Sequence, residues 1–142
     1  MPQETENGEV YPKPETFNFL GFTFYGSSSE KTGKFVVKMK TNKSKFRAKV
    51  KEFKEWMRKA RNVEVKDIIK AVNAKLRGHY RYYGVTHNIK ELKSYFQIIR
   101  KMLYKWLNRR SQRKSFTWDE FEEIEKTHWH LEKPKIYVNL FG

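Results

Sequence analysis

The sequence predicts a mainly α fold: a three-helix bundle preceded by a β-hairpin and followed by a short helix and an extended C-terminal segment. Two observations carry that expectation. The spacing of apolar residues switches from two to 3.6 near Ser44, and three helical stripes then follow one another with short connections. Amphipathic helices joined in this way bury their stripes best against one another, as a bundle. With 142 residues and no cysteine, the chain can bury one modest core without disulfides or a structural metal.

Residues 1–16 are polar, contain Pro2, Pro12 and Pro14, and read as a flexible lead-in. FNFLGFTFYG, Phe17 to Gly26, alternates aromatic with smaller residues. After the turn-prone SSSEKTGK comes FVVKMK, Phe35 to Lys40, again alternating, so residues 17–40 are expected as a β-hairpin. Phe46, Val50, Phe53 and Met57 share one face of a first helix that runs to about Ala60. Val65, Ile69, Val72, Leu76, Tyr80 and Tyr83 keep the same spacing in a second helix, which Gly84 ends. Asn88 can cap a third, whose stripe is Leu92, Phe96, Ile99, Leu103 and Trp106, down to about Arg109. Residues 41–114 therefore read as one basic three-helix domain. In residues 115–142, Thr117 and Glu120 form a capping box for a short helix through about Lys126. The closing KPKIYVNLF reads as extended, either packed on the bundle or paired with the hairpin edge.

Charge is segregated along the chain. The net charge is +15, yet both ends are acidic, and the segment from Lys31 to Lys114 holds 27 basic and 5 acidic residues. Such a concentration repels itself in a compact state, so a polyanionic partner is the economical explanation. At about 100° per residue, Arg47, Lys51, Lys54 and Arg58 form a basic flank beside the first stripe, with Glu52 and Glu55 on the far side. Lys66, Lys70, Arg77 and Arg81 form the same flank on the second helix, with Asn73 at its inner edge. A third cluster, Lys105, Arg109, Arg110, Arg113 and Lys114, closes the third helix, beyond what a helix dipole alone would favour. These flanks suit phosphate contacts, which supply affinity and position without reading sequence.

The stretch LRGHYRYYGV, Leu76 to Val85, concentrates the aromatics. Tyr80 and Tyr83 fall on the apolar stripe and are expected in the core with their hydroxyls at its rim. Tyr82 and His79 lie off it, opposite Arg77, and are candidates for contact with bases; the simpler expectation for His79 is a solvated or locally bonded imidazole. Gly78 inside the helix costs about 1 kcal/mol relative to alanine, and close approach of another helix or of RNA backbone would explain it.

No catalytic constellation accompanies this surface. Two-metal chemistry needs clustered carboxylates, whereas Asp67 and Asp119 are the only aspartates and the DEFEE run, Asp119 to Glu123, reads as the exposed face of a capped helix. HWH, His128 to His130, lacks a third ligand and reads as a surface turn. Phosphate-loop, dinucleotide and nucleophile-elbow motifs are missing. We expect no catalysis by this chain alone, no cofactor and no metal. The start MPQETENGEV lacks the pattern of a signal peptide and no 18-residue apolar stretch occurs, so a soluble intracellular protein is expected.

Three blocks, FLGF (Phe19 to Phe22), LRGHYRYYGV and KWLNRRSQRKSFTW (Lys105 to Trp118), resemble in order and spacing the C-terminal part of reverse transcriptases encoded by group II introns. The resemblance spans about Phe17 to Phe141. It implies that Phe19, Leu20, Gly21 and Phe22 match the primer-grip hairpin, and that the helices form the thumb, or maturase-specific domain, which in that family grips intron RNA and the template–primer duplex. The family more often carries tryptophan where this chain has His79. The Tyr-x-Asp-Asp motif and the fingers and palm portion are absent, as are the Cys- and His-containing endonuclease motifs.

The resemblance thus implies an RNA-binding maturase-type domain without catalytic residues, acting on group II intron RNA or an RNA/DNA duplex through the three basic clusters and Tyr82. The alternatives are the C-terminal piece of a split or truncated reverse transcriptase that docks on a separate fingers and palm subunit, or a non-functional remnant. A bacterial, cytoplasmic location away from membranes is expected.

Overall fold

The computed structural model describes residues 3–4, 10–11, 17–28, 35–110 and 116–139. The lead-in of residues 1–16 falls mostly outside them; within it, β1 (Gln3–Glu4) and β2 (Val10–Tyr11) pair antiparallel. A three-stranded antiparallel sheet follows, β3 (Phe17–Phe19), β4 (Phe22–Ser28) and β5 (Phe35–Thr41), and then four helices, α1 (Lys43–Lys59), α2 (Val65–Tyr83), α3 (Ile89–Arg110) and α4 (Trp118–Thr127). The architecture is the mainly helical one expected. No helix among the described residues is long and apolar enough to cross a membrane.

The expected hairpin is present as β4 and β5, in register from Phe22 opposite Thr41 to Ser28 opposite Phe35. The stretch FNFLGFTFYG is nevertheless two strands, because the chain reverses at Leu20 and Gly21 with Phe19 opposite Phe22. Both turn residues have positive φ, 52° and 84°, the combination whose twist suits a two-residue hairpin. Leucine is uncommon there, and two hydrogen bonds hold it in place. The Tyr82 hydroxyl donates to the Leu20 carbonyl at 2.9 Å, and the Asn42 N–H to the Gly21 carbonyl at 2.8 Å. Glycine is needed at 21 on a second count, since a Cβ would stand 3.0 Å from the Tyr83 hydroxyl.

The bundle buries the stripes read from the sequence. Phe53, Met57, Ile69, Val72, Leu76, Tyr80, Tyr83, Leu92, Phe96, Ile99, Leu103 and Trp106 are all core, while Phe46, Val50 and Val65 are half-buried at its margin. Each fully buried aliphatic side chain contributes about 1.5–3 kcal/mol relative to exposure. The sheet adds Phe22 and Met39, and the C-terminal part adds Phe121 and Leu131. α4 opens on the expected capping box: the Thr117 hydroxyl accepts the Glu120 N–H at 3.1 Å and the Glu120 carboxylate accepts the Thr117 N–H at 3.3 Å. Its inner face is held by Arg100 of α3, nearly buried, which donates twice to the Glu125 carboxylate at 2.7 and 2.8 Å.

Two local details depart from the sequence reading. Asn88 precedes α3 as expected but does not cap it with its side chain. It turns inward, accepting the Thr41 N–H at 2.7 Å and donating to the Thr41 hydroxyl and the Tyr83 carbonyl, both at 2.8 Å. One completely buried amide thus ties the sheet, the end of α2 and the start of α3 together. Gly84 ends α2 without a left-handed cap, at φ −78°. Glycine is needed there for room: a Cβ would lie 2.1 Å from the Tyr80 carbonyl oxygen and 2.9 Å from that of Lys135. That second approach arises because the C-terminal segment crosses here, with the N–H groups of Tyr137 and Val138 both donating to the Gly84 carbonyl. Of the two placements open to that segment, the structure adopts packing on the bundle, along α2, with Val138 bridged to Val85 in parallel.

Candidate nucleic-acid interface

The ends of α1 and α3 enclose a cleft of about 680 Å³. Lys54 and Arg58 of α1 and Arg61 just beyond it line one side; Lys105, Arg109 and Arg110 of α3 line the other, over an apolar floor that includes Met57 and Trp106. Among the described residues, no acid contributes to this lining. Arg58 also pairs with Glu55 at 3.0 Å, but both side chains are about half-exposed, and such surface pairs contribute little. The Arg110 guanidinium stacks over the Trp106 ring at 4.5 Å and donates to the Val63 carbonyl. The Trp106 indole N–H is buried with no partner among the described residues. Arg47 and Lys51, both exposed, continue the α1 flank away from the cleft.

The structure therefore joins two of the three basic clusters, and adds a member the sequence reading missed. Arg61 lies past the end of α1, where an argument from helical azimuth stops; its signal was only the continuation of the basic run. Arg113 and Lys114 lie outside the described residues.

The α2 flank points elsewhere. The side of α2 that carries Asn73, Arg77 and Tyr80 is covered by the C-terminal segment. Asn73 donates to the His130 carbonyl at 2.9 Å and accepts the Glu132 N–H at 2.8 Å, and Tyr80 donates to the Glu132 carbonyl at 2.7 Å. Glu132 pairs with Arg77 at 3.1 Å, so the acidic C-terminal part neutralises one cation of the basic middle. Lys66 lies 3.9 Å from Glu64, and Lys70 and Arg81 are exposed.

The FLGF and LRGHYRYYGV blocks, over fifty residues apart, meet in space. Phe22 stacks on Tyr82 with ring centres 6.0 Å apart and tilts against Tyr83 at 5.3 Å. Leu20 itself is exposed at the turn. Tyr80 and Tyr83 are core, as expected, but their hydroxyls are not at a wet rim: that of Tyr80 lies beneath the C-terminal segment, and that of Tyr83 is buried without a partner among the described residues. Tyr82 is 53% exposed.

His79 is neither solvated nor bonded. It is 7% exposed, stacks on Tyr95 of α3 with centres 3.7 Å apart and planes 6° apart, and neither ring nitrogen has a partner among the described residues. Azimuth placed it off its own helix's stripe; it is covered because α3 brings Tyr95 against that flank. Burial, with Lys49 adding to it, lowers its pKa from the usual 6.5 to about 4, and burial chiefly raises the hydroxyl of Tyr83 to about 12 and that of Tyr95 as well.

The sign of the resulting pH dependence follows from linkage. Above about pH 6.5 the imidazole is neutral folded or unfolded. As pH falls toward 4 the unfolded chain alone takes up the proton, so about 3 kcal/mol of stability is lost over that interval. His79→Phe should therefore flatten the stability profile between pH 7 and 4.5, as measured by urea unfolding; profiles of equal slope would refute the assignment.

Of the HWH run, His128 sits at the end of α4 with Nδ1 2.7 Å from the Thr127 hydroxyl, and His130 is exposed. Among the described residues no three His, Asp or Glu side chains are grouped to hold a metal.

Comparison with known families decides what this bundle is. The model of the group II intron maturase-specific domain matches residues 43–123, more than half of the chain, from the first turn of α1 into α4. The chain belongs to that family. The bundle of α1 to α3, with the α1–α3 cleft and the LRGHYRYYGV helix, lies within the matched span. The FLGF sheet and the C-terminal segment lie outside it. No curated protein and no solved structure gives a significant match to this maturase-specific domain.

Proposed function

We propose that this maturase-specific domain binds structured group II intron RNA through the α1–α3 cleft and carries no catalytic group of its own. One observation carries the reading: six cations, five on α1 and α3 and Arg61 just past α1, converge on a cleft with no acid among its described lining residues and with an indole N–H in its wall that has no partner among the described residues. A lining dominated by charged donors, in which the Asn62 amide is the one side chain with a strong acceptor among the described residues, suits a ligand that accepts, and phosphate oxygens are such acceptors. Its four arginines, counting Arg61, present planar forks that engage phosphate bidentately. Arg47 and Lys51 extend the track, and Lys66, Lys70, Arg81 and Tyr82 offer secondary contacts on α2. The test is binding of an intron RNA hairpin across a salt series. We expect log K to fall with log salt with a slope of about −4 or steeper, as for four or more neutralised phosphates. A slope near zero would remove the reading.

A second reading, docking on a separately encoded fingers and palm subunit, is favoured by the sheet. Leu20 is exposed at the FLGF turn and Val37 is exposed on β5, the strand at one edge of the sheet, and sheet edges invite strand pairing. Mixing the two chains should then yield a stable complex with cDNA synthesis; a chain that stays monomeric beside such a subunit counts against it.

A further inference from the structure

A second cleft, of about 470 Å³, lies between the N-terminal half of α1 and the C-terminal half of α2, with Tyr95 of α3 in its wall. Its size falls in the range of about 300–1,000 Å³ typical of small-ligand sites. Lys45 and Lys49 line it from α1 and Lys75 from α2, the last held over the Trp56 ring at 4.7 Å. Among the described residues Glu52 is the one acid in the lining, and it makes only a surface pair with Lys49 at 3.7 Å. The wall also holds His79, 7% exposed with both nitrogens unpartnered, and the unpartnered Tyr83 hydroxyl.

The chemistry differs from that of the α1–α3 cleft. A neutral imidazole offers one donor and one acceptor, and a tyrosine hydroxyl offers both. Phosphate, an acceptor only, would leave the imidazole acceptor unanswered, whereas the edge of a nucleobase, with N–H and C=O side by side, can donate to the imidazole acceptor and accept from the Tyr83 hydroxyl. The lysines, which only donate, suit the phosphate of the same nucleotide. Gly78 fits this picture. Glycine in a helix interior is destabilising relative to alanine, and apart from its chain neighbours and the backbone of its own helix no described atom lies within 4 Å of where its Cβ would be. No neighbouring helix explains it; the position opens on the cleft, where a ligand can approach the backbone.

We propose that this cleft holds one unpaired nucleotide of the bound RNA, its base edge toward His79 and Tyr83 and its phosphate toward Lys45 and Lys49. The inference rests on the RNA-binding reading above. It is tested with three RNA hairpins: fully paired, with one bulged nucleotide, and with an abasic residue at the bulge. The whole chain should bind the bulged hairpin about tenfold tighter than the abasic one. His79→Phe, which keeps a ring against Tyr95, should reduce that preference to within about twofold, leave the paired hairpin's affinity unchanged, and raise the melting temperature because two buried unpartnered nitrogens are gone. Lys49→Gln, at the half-exposed rim, should weaken the bulged and the abasic hairpin alike by about threefold relative to the paired one, since both keep the phosphate, and serves if the first variant fails to fold.

Equal affinity of the native chain for bulged and abasic hairpins overturns the proposal, as does full preference retained in His79→Phe or an unchanged affinity for the bulged hairpin in Lys49→Gln. Saturable binding of free adenosine or uridine monophosphate without any bulge preference also overturns it, in favour of a mononucleotide site. Failure to bind even the paired hairpin overturns the RNA-binding reading itself.

Discussion

Replacing Lys54, Arg58 and Arg109 by glutamate together is expected to weaken RNA binding by about three orders of magnitude at roughly 100 mM salt. The three reach one cleft from both of its walls, Lys54 and Arg58 from α1 and Arg109 from α3. Each reversal removes a partner for phosphate and puts a like charge in its place, so the effect per site exceeds that of neutralisation. The salt dependence should become shallower by about one unit in slope for every phosphate that the variant no longer neutralises. All three side chains are exposed, so the fold and melting temperature should hold.

The control is the matching triple on α2, Lys66, Lys70 and Arg81 to glutamate. That flank lies on the side of α2 toward the C-terminal segment, which already neutralises Arg77 through Glu132. We expect affinity to fall by at most about tenfold there. If the α2 triple proves as damaging as the cleft triple, or the cleft triple harmless, the α1–α3 cleft is not the principal RNA-binding surface.

The largest expected effect on stability is that of Asn88→Ala, about 3–5 kcal/mol in urea unfolding. The substitution deletes three buried hydrogen bonds at once. It leaves the Thr41 N–H without that acceptor, and the desolvation of an unpaired buried group costs about 1–3 kcal/mol; the Tyr83 carbonyl loses one of two donors and keeps the Val85 N–H at 2.9 Å. Because the amide joins β5 to the α2–α3 corner, the damage should be specific to that joint. Hydrogen exchange at the Thr41 amide should accelerate far more than at the Glu120 amide, which the separate Thr117 cap protects. A destabilisation below about 1 kcal/mol, or uniform acceleration, would show that the sheet is held to the bundle by other interactions.

Much of this molecule was legible because its causes are local. The bounds of α2, Val65 to Tyr83, follow from a run of apolar residues at helical spacing, and the α4 cap from Thr117 and Glu120 three positions apart. The family resemblance was carried by three blocks, two of which fall in the span that the family model matches. What was misread had non-local causes. His79 lay off the stripe of its own helix, yet Tyr95, sixteen positions on, closes over it. The alternation in FNFLGFTFYG is compatible with one strand or with two; the reversal at Leu20 is held by Tyr82, sixty-two positions away.

By itself the sequence determined the helices, the apolar faces that form the core, and the sign and rough location of the charge. Each of these depends on which residues recur within a few turns of one element. Only the tertiary structure decided which basic clusters converge on one cleft and which cation the C-terminal segment neutralises, that Asn88 joins two layers rather than capping a helix, and that the lysines of α1 and the histidine of α2 share a cleft. Azimuth says where a side chain points from its own helix axis. What meets it there, a carboxylate, an aromatic ring or open water, is set by segments that arrive from elsewhere in the chain.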